Sequence, residues 1–340
     1  PGPSCYGKDG PLCVTDCNVL LGKILPNHFP KVFGSSGQDS LDAAIVAEKF
    51  DTLAHEVVSL SREEVAEGFL MVAVENMARA IKRVTLERGF DVSDYTLVCF
   101  GGAGGQHACL VADALGIERI MIHPLAGVLS ALGMGLAESR ALRERSIEAV
   151  LDDALIPSLE CALDDLYKDA STALEKDTAS IEALRNVHLR YAGTDTALAV
   201  GFGSIDDMMH TFEAAHRQRF GFVDPDKDLI VEAVSLEAIG REPEVTYFPT
   251  AKQALDGQTD EQTTDLFTGG KWHKAPVVER STLAQGAIIA GPALITEAHG
   301  TNVIEPGWQG SLNETGDFLL RRIDARANDH LISTEADPIR

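Results

Sequence analysis

The stretch "LVCFGGAGGQHACLVADALGI", residues 97–117, gathers five glycines, a glutamine and a histidine between two apolar runs. Missing side chains let a ligand approach the backbone, and backbone N–H groups at a helix start attract an anion. Gln106 and His107 sit where the turn hands over to the helix, so their side chains are placed to face a bound ligand. His107 is a candidate donor to a phosphate or a substrate carbonyl; a turn or capping role is the competing assignment. Upstream, "TDCN" (15–18) supplies Asp16 and Asn18, which could line a cleft or hold a cation. Asp16 is equally placed to cap a helix. Tyr191, Gly193 and Asp195 read as a tight turn, and His123 before Pro124 as a strand end. Spacing alone identifies no Ser–His–Asp triad and no carboxylate pair.

A strand, a glycine-rich turn and a helix are the layout of several phosphate-binding loops, which the letters can separate. A P-loop requires G-x4-G-K-[ST], and no Lys-Ser or Lys-Thr follows these glycines. A dinucleotide fingerprint requires G-x-G-x-x-G and an acid at the end of the next strand. Gly102-Ala103-Gly104 begins it, but His107 stands in place of the third glycine and the next strand ends in His123. A nucleophile elbow, G-x-S-x-G, is absent. Two readings remain open on the turn alone: an adenosine-type turn, with Gly101, Gly102, Ala103, Gly104, Gly105 and Gln106 against a nucleotide, and a turn that serves close helix–sheet packing.

The elements that must position these residues follow from periodicity. Asp16 caps a short helix carrying Val19, Leu20 and Ile24 inward, and residues 41–58 form a second helix. "SREEVAEGFLMVAVENMARAIKRVTLER" (61–88) is the clearest helix, with a Ser61/Glu64 capping box and a stop at Gly89. Its apolar stripe is Val65, Phe69, Val72, Met77, Ile81 and Val84. A buried strand over 95–100, a helix over 105–116, a strand over 119–123 and an apolar helix over 127–138 follow. From 141 the order becomes strand, helix (154–177), two strands, helix (204–220), strand. This is the β-α-β-β-α-β sequence of a ferredoxin-like α+β segment reaching to 241. Beyond 242 short strands are broken by Gly and Pro, with "TDEQTTD" as a polar linker, which reads as a small β-rich domain over 242–330 and a tail over 331–340. The fold class is α/β.

Composition limits the partners. The net charge is -23, from 52 acidic and 29 basic residues, which argues against nucleic acid and anionic membranes. No apolar run approaches the ~18–20 residues of a membrane span and no signal peptide opens the chain. Both points suit a soluble cytoplasmic protein. The six cysteines include a C-x3-C at Cys13 and Cys17, but no fourth ligand follows at zinc spacing, so ordinary thiols and no metal site are expected. The opening "PGPSCYGKDGPL" lacks a Met and begins inside a turn-rich motif, as expected of a fragment.

Five motifs then occur in order: "PGPSCYGKDGPLCVTDCNVLLG" (1–22), "CFGGAGGQHACLVADALGI" (99–117), "HPLAGVLSALGMGLAE" (123–138), "LRYAGTDTAL" (189–198) and "GPALITE…TNVIEPGW" (291–308). Together they resemble the hydantoinase A/5-oxoprolinase family, and "GGQHAC" with the later "RYAGTDTAL" is most similar to its ATP-dependent 5-oxoprolinase branch. The resemblance implies the C-terminal part of the A component. Residues 1–140 would be the later part of an actin-like (RNase H-like) ATPase domain, with the adenosine turn at 101–106. It implies ATP and magnesium as cofactors, and 5-oxoproline or a hydantoin as substrate. A hydantoinase B-type component would complete ring opening, and an oligomer is expected. The alternatives are an N-methylhydantoinase, a ketone carboxylase subunit and a non-catalytic assembly module. No D-x-G-G-T string, the family's phosphate-binding motif, occurs in these 340 residues. The phosphate and magnesium side of the site is therefore expected to be missing.

Overall fold

A computed structural model describes residues 2–57, 60–174, 180–241, 262–298 and 300–325. In chain order the helices and strands are α1 (Val14–Leu20), α2 (Ala43–Glu56), α3 (Arg62–Glu87), β1 (Leu97–Cys99), α4 (Ala108–Leu115), β2 (Arg119–Ile122), α5 (Leu129–Gly135), β3 (Ser139–Val150), α6 (Ile156–Ala173) and β4 (Ser180–Tyr191). They continue as β5 (Leu198–Gly201), α7 (Ile205–Phe220), β6 (Leu229–Arg241), β7 (Thr263–Thr268), β8 (Lys271–Glu279), β9 (Ile288–Ala290), β10 (Ala293–Glu297), β11 (Gly300–Ile304), β12 (Trp308–Leu312) and β13 (Phe318–Arg322). The chain divides into two compact units. The first takes 1–86, 91–132 and 248–340; the second takes 87–90 and 133–247.

The first unit is mixed α/β. β1 and β2 run parallel around α4, as a strand–turn–helix–strand over 95–123 requires. The sheet continues β1-β2-β13-β12-β9. β13 is antiparallel to β2, with Phe318 opposite Ile122 and Leu320 opposite Ile120. A second sheet runs β11-β10-β8-β7. One core joins Val74 and Ala78 of α3, Cys109 and Val111 of α4, Ile120 and Ile122 of β2, and Ile295, Trp308 and Phe318. The expected separate β-rich domain over 242–330 is thereby corrected: its described strands complete the sheets of the N-terminal part. β2 carries β1 on one edge and needs a partner on the other, and that partner lies about two hundred residues downstream. The "TDEQTTD" linker is corrected too, because Thr263–Asp265 belong to β7. The tail over 331–340 lies outside the described residues.

The helix over 61–88 forms with its capping box: Ser61 N–H donates to Glu64 Oε2 at 2.7 Å and Glu64 N–H to Ser61 Oγ at 3.2 Å. Its buried face keeps only part of the expected stripe, Val65 and the core-packed Ile81. Val65, Ala66, Leu70, Val74 and Ala78 are buried, whereas Phe69, Val72 and Val84 are exposed. Ala66 and Ala78 let α3 lie close on the core, and the face they share with Leu70 and Val74 is offset from the stripe of Phe69, Val72 and Val84. The strand expected as buried over 95–100 is an edge strand, with Cys99 inward and Val98 and Phe100 outward.

The second unit has the expected element order but a different sheet. Its strands run β3-β6-β4-β5, all antiparallel. A ferredoxin-like plait puts its first and third strands in the middle; here the second and fourth, β4 and β6, hold the middle. β6 is buried along most of its length, which favours an interior place. Tyr191 closes the turn after β4: its hydroxyl accepts the Asp224 N–H at 2.9 Å and its ring meets Phe212 edge-on.

Candidate active site

The glycine stretch divides into two jobs. Gly101 takes φ +90°, a conformation L side chains rarely adopt, and its N–H donates to Ala126 O at 2.7 Å. Residues 101–103 are exposed. Gly104 and Gly105 are packed: a Cβ at Gly104 would lie 2.8 Å from Cys99 Sγ, and one at Gly105 would lie 1.8 Å from Asn302 Oδ1. Those two let the turn press onto β1 and β11.

A cavity of about 960 Å³ opens on the exposed half, with Gly102, Ala103 and Gln106 in its wall. The lining also carries Tyr6, His28, Phe29 and Phe33, and Thr296, Glu297 and Thr301 from β10 and β11. Tyr6 and Phe33 stack with ring centroids 4.5 Å apart. Glu279 and Glu297 are the carboxylates of the lining, and neither Lys nor Arg is among the lining residues. Aromatic and acidic side chains share the lining with His28 and the exposed half of the glycine turn. Among the described residues no group of three His, Cys, Asp or Glu side chains is arranged to hold a metal ion.

Behind the wall lies a buried polar cluster. Asn18 Nδ2 donates to Gln106 Oε1 at 2.7 Å and stands 3.4 Å from His107 Nε2. With Oε1 taken, the Gln106 amide nitrogen is left for the cavity. His107 is buried and outside the cavity wall. Burial first, then the Lys23 charge, pushes its pKa down to about 4, so at neutral pH the ring is uncharged. Its Nε2 lies 3.4 Å from Asn18 Nδ2, while its Nδ1 and Asn18 Oδ1 are buried without a hydrogen-bond partner. The expectation of a ligand-facing His107 is corrected: the backbone at the start of α4 turns the ring inward, where it backs Gln106.

Asp16 is likewise not in the cavity wall. It is fully buried, and its carboxylate accepts from Cys5 N–H at 2.7 Å, Cys13 N–H at 2.8 Å and Ser4 N–H at 3.1 Å. The carboxylate ties the first loop to the start of α1, the capping side of the sequence reading. His123 is the strand-end residue expected, its Nδ1 accepting from Leu125 N–H at 3.0 Å.

Four charged residues escaped the sequence reading. Lys23 Nζ and Glu305 Oε1 are 2.5 Å apart in the interior, with the Thr268 hydroxyl on the other carboxylate oxygen at 2.7 Å. Arg280 reaches Glu297 Oε1 at 2.7 Å. Acids closing apolar runs, as in "GPALITE" and "TNVIE", were the available signal, because an apolar strand carries its charge inward only beside a partner.

The family model for hydantoinase/oxoprolinase matches residues 1–143, and the model for the hydantoinase/oxoprolinase C-terminal domain matches 213–323. A 5-oxoprolinase of Saccharomyces cerevisiae is 34% identical over 343 residues, covering 94% of this chain and 26% of the yeast protein. The crystal structure of the ATP-dependent caprolactamase from Pseudomonas jessenii superposes with a TM-score of 0.79 at 25% identity, over 95% of this chain and 48% of that one. The nucleotide-free acetone carboxylase shares the fold, with a TM-score of 0.66 at 17% identity over 94% of this chain and 48% of that one. The chain thus spans about a quarter of the yeast relative and about half of each solved neighbour. With the two domain models of one family matched in order along most of its length, this chain belongs to the hydantoinase/oxoprolinase family.

Proposed function

We propose that this chain supplies the nucleoside-binding wall of an ATP-dependent enzyme that opens a cyclic amide. The observation that carries the reading is the cavity on the exposed half of the glycine turn, with aromatic and acidic walls and neither Lys nor Arg in its lining. A base can lie against Tyr6, Phe29 and Phe33, and the sugar over Gly102 and Ala103. Ala103, Gln106 and the threonines exclude water and orient the nucleoside. Glu279 disfavours a phosphate beside it, whereas the charge of Glu297 is balanced by Arg280. Groups that hold the phosphates and magnesium, as in the second lobe of an actin-like ATPase, come from another part of the protein.

ATP, when bound, supplies the phosphoryl group that converts a resonance-stabilised amide oxygen into a leaving group. The family and the named relatives favour a lactam: 5-oxoproline first, then larger lactams and hydantoins. A second, B-type component completes the hydrolysis in an oligomeric assembly. The test is the full-length protein, with and without its B-type component, incubated with ATP and separately with 5-oxoproline, caprolactam and hydantoin. Mass spectrometry of ring-opened product, with ADP release, should single out one cyclic amide. ATP binding with no ring opening of any of them would remove the lactam assignment.

A further inference from the structure

We propose that Glu297 reads the ribose hydroxyls of the nucleoside, with Arg280 and Asn302 as its positioning residues and Gln106 as its donor counterpart. This deepens the nucleotide reading above and rests on it. Glu297 lies in the cavity wall at the end of β10, its side chain 13% exposed. One oxygen, Oε1, is held twice, by Arg280 Nη1 at 2.7 Å and by Asn302 Nδ2. The other, Oε2, has no hydrogen-bond partner among the described residues and is left for a ligand.

Arg280 cannot easily swing away. Its Nη2 also donates to Ile122 O at 2.9 Å and Gly316 O at 2.8 Å, so the guanidinium is pinned between the ends of β2 and β13. Asn302 is pinned by the turn itself, since Gly105 packs against its side chain. The next residue, Gln106, is 5% exposed, lies in the same wall and has its Oε1 occupied by Asn18. The cavity thus presents a carboxylate acceptor and an amide donor on neighbouring pieces of chain.

A phosphate oxygen satisfies the donor but not the carboxylate. An amine satisfies the carboxylate but not the donor. A hydroxyl does both, accepting from Gln106 and donating to Glu297, and a pair of adjacent hydroxyls engages both residues at once; a lactam's C=O and N–H match the same pair, and the deoxynucleotides separate the two. Carboxylate recognition of ribose hydroxyls is an established solution in dinucleotide sites, reached here from a β-strand end with an arginine behind it.

The experiment is calorimetric titration of the full-length protein with ATP, 2′-deoxy-ATP and 3′-deoxy-ATP, for the native form and for Glu297→Gln. The native protein should bind at least one deoxy analogue about tenfold more weakly than ATP. Glu297→Gln should weaken ATP by about the same factor and bind ATP and that analogue alike. Gln106→Leu, which leaves the Arg280–Glu297 pair intact, should also shrink the discrimination and serves if Glu297→Gln does not fold. Equal weakening of all three nucleotides, with the native discrimination retained, would give Glu297 a structural role and overturn the proposal. Native binding of ATP without discrimination would overturn it while leaving the nucleotide reading standing. No binding of any nucleotide would remove both.

Discussion

Lys23 and Glu305 form an ion pair 2.5 Å across in the interior, 282 residues apart in sequence, with side chains 1% and 3% exposed. The pair fastens the turn after α1 to the end of β11, behind the wall that carries Gln106. Lys23→Met should leave the carboxylate buried with only Thr268 for company and cost about 3–5 kcal/mol. Lys23→Met with Glu305→Leu removes the orphaned charge and should recover part of that loss. Urea unfolding of the two variants decides this; equal losses would mean that removing the orphaned carboxylate brings no relief.

The local parts of this architecture were legible in the letters, and the long-range parts were not. The capping box at Ser61 and Glu64, the parallel unit around the glycine turn and the element order of 139–241 are set by neighbours in sequence. The pairing of Phe318 with Ile122 is set by an unfilled sheet edge, and nothing near either residue announces it. α3 defeated periodicity because Ala66, Val74 and Ala78 face the core while Phe69 and Val72 do not. At the site, the turn glycines and Gln106 stood out in the letters, and Gly102 and Gln106 line the cavity. Glu297 was not, because its role depends on Arg280 and Asn302 arriving from separate elements.

Asp16 should prove a folding residue. Asp16→Ala strands the Cys5 and Cys13 N–H groups, each costing about 1–3 kcal/mol when left unpaired, while the Ser4 N–H keeps Pro11 O at 3.1 Å. The loss is expected to be large enough to lower soluble yield and the thermal midpoint together. Asp16→Asn keeps one acceptor oxygen and should fall between. If Asp16→Ala instead folded normally and lost only turnover, the carboxylate would have a chemical role that its hydrogen bonds do not reveal.

His107 makes stability depend on pH in a stated direction. Its folded pKa of about 4 lies below the usual histidine value of about 6.5. Between these values the unfolded chain binds the proton and the folded chain does not, so stability falls as pH drops from about 6.5 towards 4. The ceiling on this contribution is roughly 3 kcal/mol, at about 1.4 kcal/mol per unit. It is fully present above pH 6.5 and gone below 4. Denaturant unfolding at pH 7 and pH 4.5 should show a smaller difference in His107→Gln than in the native protein. An unchanged difference would assign the acid sensitivity to other groups.

The turn separates blocking from breaking. Ala103 already carries a Cβ, is exposed and lies in the cavity wall. Ala103→Leu therefore adds bulk where only a ligand would meet it, and should leave the thermal midpoint within a few degrees while weakening ATP binding by tenfold or more. Gly105→Ala does the reverse. Its methyl would overlap Asn302 Oδ1, β11 must shift, and overpacking of this kind costs about 1–3 kcal/mol. Because Asn302 also holds Glu297, Gly105→Ala should lower both stability and affinity, whereas Ala103→Leu lowers affinity alone. Thermal unfolding and calorimetry on the same two proteins give the comparison. If Ala103→Leu bound ATP as the native protein does, the nucleotide would have to lie elsewhere, and the glycines at 101–105 would be there for packing.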